Sequence, residues 1–318
     1  MLTLSSEQIR ALVPMSRVVD CLHAAFREGC IAPPRQIIPA PGGDGGRLFL
    51  LMPALHPAGG AAIKMATVFP DNPAHGLPVI QAAIVVFSST GTPIALLDGT
   101  TVTHLRTGAA SALASRFLSR EDSSHLLLIG TGALAPSMAE AHCAVRPIRR
   151  ISVWGRNAAK VAATVAAIRT RVPSQVEVVA VTSAEEAIPA ADIVSCATSS
   201  ATPLVAGRLL RTGTFVDLVG SFSPSKREAD DDAVRRARIF VDTFEGALSE
   251  AGDVIDPLTR AVIDRQRIEG ELADLVHGRV LGRRTAEEII LFKSVGAALE
   301  DLALSRLLVS LAMESASG

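Results

Sequence analysis

Residues 125–135 read HLLLIGTGALA. A short apolar run flows into Gly130-Thr131-Gly132-Ala133-Leu134-Ala135, and residues 134–145 continue with a helical pattern. G-x-G-x-x-A is a weak signal alone, but between a strand and a helix it marks a dinucleotide-binding turn. The first glycine allows the tight turn, the second lets backbone approach a pyrophosphate, and Ala135 permits close helix–strand packing. The helix N-terminus then offers unpaired N–H groups and a positive dipole end to the phosphates.

The pattern repeats downstream of that turn. Strands are predicted at 150–154, 176–181, 193–198, 214–219 and, as the last one, 239–241, with helices at 157–171 and 183–188 between them. Continuous apolar strands alternating with helices predict an α/β fold, a doubly wound parallel sheet of Rossmann type. The end of the second strand reads Trp154-Gly155-Arg156-Asn157, with no carboxylate for a ribose 2′-hydroxyl. Arg156 suits a 2′-phosphate instead, so NADPH is the preferred cofactor and NADH the open alternative.

Upstream the chain reads differently. Ser5-Ser6-Glu7-Gln8 looks like a capping box before a helix that stops at Pro14. Residues 16–28 form a second helix, with Val18, Val19, Leu22, Ala25 and Phe26 on one stripe and Gly29 ending it. Prolines 33, 34, 39 and 41 and glycines 42, 43, 45 and 46 then mark a loop. Strands are predicted at 48–52, 62–68, 79–87 and 93–97, joined by Gly- and Pro-containing turns, as in a mostly antiparallel sheet. Residues 103–118 read as a helix leading out of this domain, and 285–316 as a final helical segment able to fold back onto it. The expected division is an α+β domain, 1–118 with 297–318, and a Rossmann domain, 119–296.

Composition narrows the function. A length of 318 residues suits about two domains. Hydrophobic residues at 48% against 20% charged can fill a sizeable core, which excludes a disordered chain. A net charge of −1 excludes a bulk-electrostatic nucleic-acid binder, and the absence of tyrosine with a lone Trp154 disfavours stacking on single strands. The most apolar stretch, 79–97, is broken by Ser88-Ser89-Thr90-Gly91-Thr92-Pro93, so no membrane span is expected. MLTLSSEQIRALV has no basic region before an apolar core, so no signal peptide is expected. Cys21, Cys30, Cys143 and Cys196 stand far apart, and no histidine spacing suits a metal, which reads as a reduced, cytoplasmic, metal-free protein.

Several motifs together resemble the ornithine cyclodeaminase/μ-crystallin family. They are Leu105-Arg106-Thr107-Gly108-Ala109-Ala110-Ser111, the IGTGALA turn, Val219-Gly220-Ser221-Phe222-Ser223-Pro224-Ser225-Lys226-Arg227-Glu228, Glu250-Ala251-Gly252-Asp253, Glu271-Leu272 and Leu291-Phe292-Lys293-Ser294-Val295-Gly296. They occur in family order across most of the chain. The resemblance implies a homodimer, a Rossmann domain between two chain ends that jointly build the α+β substrate-binding and dimerisation domain, and a small imino or amino acid held by its carboxylate next to a nicotinamide. It implies a clamp of Arg35, Lys64 and Arg106. It also implies that Arg106, Thr107, Thr198 and Asn157, then Val219, Gly220, Ser221 and Ser294, serve the cofactor with Gly130, Thr131, Gly132, Ala133, Leu134 and Arg156.

Lys64 lies in the otherwise apolar Gly60-Ala61-Ala62-Ile63-Lys64-Met65, where a lysine must find a partner or suffer desolvation. The departures from the family pattern discriminate among its reactions. Ornithine-cyclising members carry an Asp where this chain has Phe222, and a Glu at about Leu50. An ornithine ammonium against Phe and Leu would stay buried and unpaired, at a cost of several kcal/mol. A cyclic imine would gain about 0.8 kcal/mol per buried CH₂ from the same wall.

The expected function is NAD(P)H-dependent reduction of a cyclic ketimine acid, 1-pyrroline-2-carboxylate to L-proline or 1-piperideine-2-carboxylate to L-pipecolate. The resemblance is strongest to the ketimine-reductase members. Three alternatives stay open: an ornithine cyclodeaminase-like lyase with bound NAD, an open-chain dehydrogenase, and a non-catalytic ligand-binding protein. His104 is a weak candidate proton relay. Asp217 reads as facing the cofactor's surroundings or capping a turn. Lys226 and Glu228 read as forming local ion pairs or shaping their loop, and Asp230-Asp231-Asp232 as an acidic helix start.

Overall fold

The computed structural model describes residues 1–41, 46–221 and 223–317. Its chain divides into two compact units, Met1–Arg106 with the segment from Ala298 onward, and Thr107–Ala297.

The first unit opens with β1 (Leu2–Leu4), α1 (Ser6–Leu12) and α2 (Met15–Glu28). Ser5 and Gln8 form the expected capping box, and α2 buries Met15, Val18, Val19, Leu22 and Phe26 on one stripe. There follow β2 (Gln36–Pro39), β3 (Leu48–Leu55), β4 (Ala61–Val68), β5 (Ile80–Phe87) and β6 (Pro93–Asp98), then α3 (Gly99–Leu118). The sheet order is β1-β6-β5-β4-β3-β2, antiparallel throughout except the β1–β6 pair. The expected antiparallel sheet is therefore present, with β1 and β2 added at its edges. The loop glycines 42, 43 and 45 lie outside the described residues.

The second unit begins within α3 and continues through β7 (His125–Ile129), α4 (Ala135–Val145), β8 (Arg150–Trp154), α5 (Ala158–Arg169) and β9 (Glu177–Ala180). Next come α6 (Ala184–Ala187), β10 (Ile193–Cys196), β11 (Phe215–Leu218), α7 (Asp231–Arg236) and β12 (Arg238–Val241). It ends with α8 (Phe244–Glu250), α9 (Gly252–Thr259), β13 (Ile268–Glu271), α10 (Leu272–Val276) and β14 (Ile290–Lys293). All eight strands are parallel, ordered β13-β12-β14-β11-β10-β7-β8-β9. This is the doubly wound sheet the alternation predicts. The order in which strands are added reverses between β7 and β10, with β8 and β9 on one side and β10 and β11 on the other, which leaves a crevice at their carboxyl ends.

Two expectations need correcting. The strand at 238–241 is not the last, because β13 and β14 follow it. Residues 290–293 are not helical: Ile290-Leu291-Phe292-Lys293 is a fully buried strand between β11 and β12. Four apolar-stemmed residues in a row carry no period, and only burial on both sheet faces selects a strand.

The last helix, α11 (Ala298–Ser317), packs in the first unit against α2, β4 and β3. The units part at 106/107, inside α3, where the sequence had suggested 118/119. The later half of α3 is tied into the second unit. Ser111 Oγ donates to Asp217 at 2.9 Å, and a Cβ on Gly108 would strike the Ser137 carbonyl at 2.7 Å.

Candidate active site

In the first unit the strand alternation puts Ala62, Lys64, Ala66 and Val68 of β4 on the buried face, so Lys64 is 3% exposed. Its partners come from the far end of the chain. Lys64 Nζ lies 2.6 Å from Asp301 Oδ2, at the start of α11. Arg106, on α3, donates from NH1 to Glu300 Oε2 at 2.8 Å and from Nε to Asp301 Oδ1 at 3.2 Å. All four side chains are buried. Burial, helped by the charges of Arg106 and Arg35 and opposed by Asp301, lowers the Lys64 ammonium to about 8. Arg35, half-buried just before β2, thus acts on the same cluster.

Leu50 is buried on β3. It pairs in register with Ala66, as Met52 pairs with Lys64, so Leu50 and Lys64 share one face of the sheet. Phe222 lies outside the described residues. His104 is half-buried on α3.

Sequence reasoning found the two cations but missed Glu300 and Asp301. Near a helix start, acidic residues are adequately explained by the dipole, and no local pattern shows that they reach Lys64 and Arg106.

In the second unit, the turn after β7 is built as the motif requires. Gly130 has φ +123°, and a Cβ there would strike the Ala197 carbonyl at 2.7 Å. Gly132 differs: a Cβ there would meet nothing within 4 Å, so its backbone is open to a ligand. Thr131 and Ala133 flank it, and Leu134 stands at the N-cap of α4, a helix whose first turn contains Pro136. Bare backbone at Gly132 ahead of a helix N-terminus fits a pyrophosphate.

Arg156 is exposed beyond β8, while the Asn157 side chain accepts from Lys160 N at 3.0 Å and caps α5. Asp217 does not face a cofactor crevice or cap a turn. It is fully buried and accepts from Ser111 and from Ser195 Oγ at 2.8 Å, with His142 Nε2 at 3.3 Å. A strand carboxylate pointing into the sheet's covering layer needs such partners.

The loops after β10 and β11 meet over a buried charge cluster. Glu228 Oε1 accepts from Thr198 N at 2.7 Å and Thr198 Oγ1 at 2.9 Å. Lys293 Nζ lies 3.1 Å from Asp253 Oδ2 and 3.9 Å from Glu228 Oε2, and donates to the Gly220 carbonyl. Asp253 Oδ1 accepts from the backbone of Glu228 at 2.7 Å and Ala229 at 3.0 Å. Burial pushes the Glu228 carboxyl up to about 7, against the favourable charge of Lys293. Val219 and Ser294 are buried near the ends of β11 and β14, and Ser221 takes a left-handed φ of +55°. Glu228 shapes its loop as its sequence suggests, while Lys293 and Asp253 emerge only from the fold. Asp230 caps α7, accepting from Ala233 N at 2.8 Å.

Among the described residues, no group of three His, Cys, Asp or Glu side chains could hold a metal, and no helix is long and apolar enough to cross a membrane.

A parallel sheet with its switch point and a glycine turn, in a chain that also buries a lysine–arginine pair on two carboxylates, defines a Rossmann-type dinucleotide-binding protein. The sequence profile of the Ornithine cyclodeaminase/mu-crystallin family matches residues 2–315. A Delta(1)-pyrroline-2-carboxylate reductase of Colwellia psychrerythraea is 37% identical over 303 residues, covering 94% of this chain and 95% of the relative. The structure of Thermococcus litoralis Delta(1)-pyrroline-2-carboxylate reductase in complex with NADH and L-proline has a TM-score of 0.94 at 35% identity, covering 99% of this chain and 98% of that one. An archaeal alanine dehydrogenase dimer with bound NAD has a TM-score of 0.90 at 28% identity, covering 99% and 97%. The chain belongs to the Ornithine cyclodeaminase/mu-crystallin family.

Proposed function

We propose that this protein reduces a cyclic α-imino acid with a nicotinamide cofactor, converting 1-pyrroline-2-carboxylate to L-proline and accepting the six-membered 1-piperideine-2-carboxylate. One observation carries the reading: buried Lys64, joined to Arg106 through Asp301, shares its sheet face with Leu50 rather than with a carboxylate at that position. Two preorganised cations in a dry site suit the substrate's acid group. The apolar neighbour suits a ring without a free side-chain amine, and Phe222 adds no carboxylate in sequence. One extra methylene is weakly discriminated by such a wall, which is why both ring sizes are included.

When bound, the nicotinamide would supply a hydride to C2 of the protonated C=N⁺ bond, whose electron pair moves onto nitrogen to leave the neutral ring amine. The chain's own residues bind and orient: Lys64, Arg106 and Arg35 take the carboxylate, and Gly130, Gly132 and the α4 N-terminus take the pyrophosphate. NADPH preference is supported by Arg156 standing where NAD-selective sites place an acid. A homodimer is supported by the exposed Ile37 and Ile38 on edge strand β2, which an isolated chain would leave in water. A cytoplasmic location suits four free cysteines.

The test is oxidation of NADPH, and separately NADH, against five-ring, six-ring and open-chain imines. Turnover of the cyclic imines is expected. Ammonia release from ornithine without net cofactor consumption would replace this reading with a cyclodeaminase.

Two further outcomes are expected. Gly132→Ala adds a Cβ that meets nothing within 4 Å, so the protein should fold with unchanged Tm yet lose dinucleotide binding at least tenfold, as titrated by fluorescence. Retained affinity would remove the pyrophosphate from this turn. For Lys64 the cation is the binding form, so affinity for a carboxylate falls as pH rises through about 8. The limb belongs to the free enzyme and appears in kcat/KM. Lys64→Arg should move it upward, because guanidinium stays charged; a limb unmoved by this change would assign it to the substrate.

A further inference from the structure

The crevice of a doubly wound sheet has two halves. The half on β7 and β8 takes the pyrophosphate and adenosine, and the half at the ends of β10 and β11 takes the second mononucleotide. In this chain the second half is made of two loops, led by Thr198 and by Gly220, and neither is held by the sheet hydrogen bonds alone. Thr198 presents both its N–H and its hydroxyl to one oxygen of Glu228. Gly220 lies so close that a Cβ would collide with Thr198 and with that same carboxylate oxygen. Its carbonyl is held by Lys293. Glu228 is itself fixed, since its backbone N–H donates to Asp253 and its carbonyl accepts from Leu204 and Val205.

We propose that Glu228 is a positioning residue for the nicotinamide end of the cofactor, acting through Thr198 and the Gly220 backbone to set the spacing of the two loops. The inference rests on the dinucleotide reading of this fold. Elements packed around the carboxylate contribute Lys293 from β14, Asp253 from α9 and Cys196 from β10. Glu228 and Asp253 bracket Lys293, and all three side chains are out of solvent. A buried carboxylate whose one oxygen takes two donors from a single threonine orders that threonine more rigidly than a surface contact could.

Glutamine in place of Glu228 retains an oxygen acceptor for Thr198, and alanine does not. Binding of NADH and of ADP-ribose, which lacks nicotinamide, separates the two halves of the crevice. In Glu228→Ala the NADH Kd is expected to rise at least tenfold while that of ADP-ribose changes less than twofold. Glu228→Gln should restore NADH affinity to within about threefold of wild type. Thr198→Val, which removes only the hydroxyl donor, should raise the NADH Kd severalfold and likewise spare ADP-ribose. It serves as the second test if the alanine variant does not fold. Equal weakening of both ligands, or no change in either, would overturn the proposal. Because the readout is binding, it stands apart from the identity of the imine: inactivity toward every imine with this binding pattern intact would fail the proposed reaction and leave the role of Glu228 in place.

Discussion

Arg106→Ala should lose about 3–5 kcal/mol of unfolding free energy and raise the KM for the imino acid about a hundredfold. Both effects follow from one buried guanidinium. Arg106 holds Glu300 at 2.8 Å and Asp301 at 3.2 Å, and these carboxylates are 0% and 1% exposed. Removing one partner of such a group leaves charge stranded in the interior, where the penalty reaches several kcal/mol. The KM effect reflects loss of a charge-assisted contact to the substrate's acid, about 2.7 kcal/mol for a hundredfold. Arg106→Lys should recover much of the stability and little of the affinity, since an ammonium cannot reproduce the planar fork. Denaturant titration and steady-state kinetics on the two variants check this. An alanine variant with wild-type KM would take Arg106 out of the clamp.

The second large effect is expected at Lys293. It is fully buried and is the cation between Asp253 and Glu228. Lys293→Met keeps the volume, but two carboxylates then share a dry site, and about 3–5 kcal/mol should be lost near neutral pH. The sign of the pH dependence is fixed by Glu228. Its folded value, about 7, lies above the 4.5 of an ordinary glutamate carboxyl. Such a group contributes stability that is complete below the unfolded value and lost as pH rises through the folded one. Without Lys293 the folded value rises further, so the deficit of the variant should be smaller at pH 5.5 than at pH 8. Unfolding titrations at the two pH values measure it; an equal deficit at both would show that Glu228 does not take up the proton.

The elements legible in sequence are those whose signal is local. The Ser5–Gln8 capping box, the α2 stripe and the G-x-G-x-x-A turn each depend on neighbours within a few residues, and each stands where the pattern put it. Strand β14 was illegible because a four-residue apolar run in front of a long helix looks like its first turn. Strand β2 was hidden by the prolines around it. Its residues are all exposed, so no alternation in burial marked it.

The same division holds for the site. Composition and motif pointed to a weakly charged α/β chain with a dinucleotide turn, and singled out Lys64 because a lysine inside an apolar strand demands a partner. Which partner it finds was decided by the fold, which folds α11 back onto β4 and carries Asp301 to within 2.6 Å of Lys64. Glu228, Asp253 and Lys293 likewise stand far apart along the chain and meet only where the strand ends converge. Local periodicity is set by backbone geometry over a few residues, whereas charge pairing in a core is set by which distant segments exclude water together.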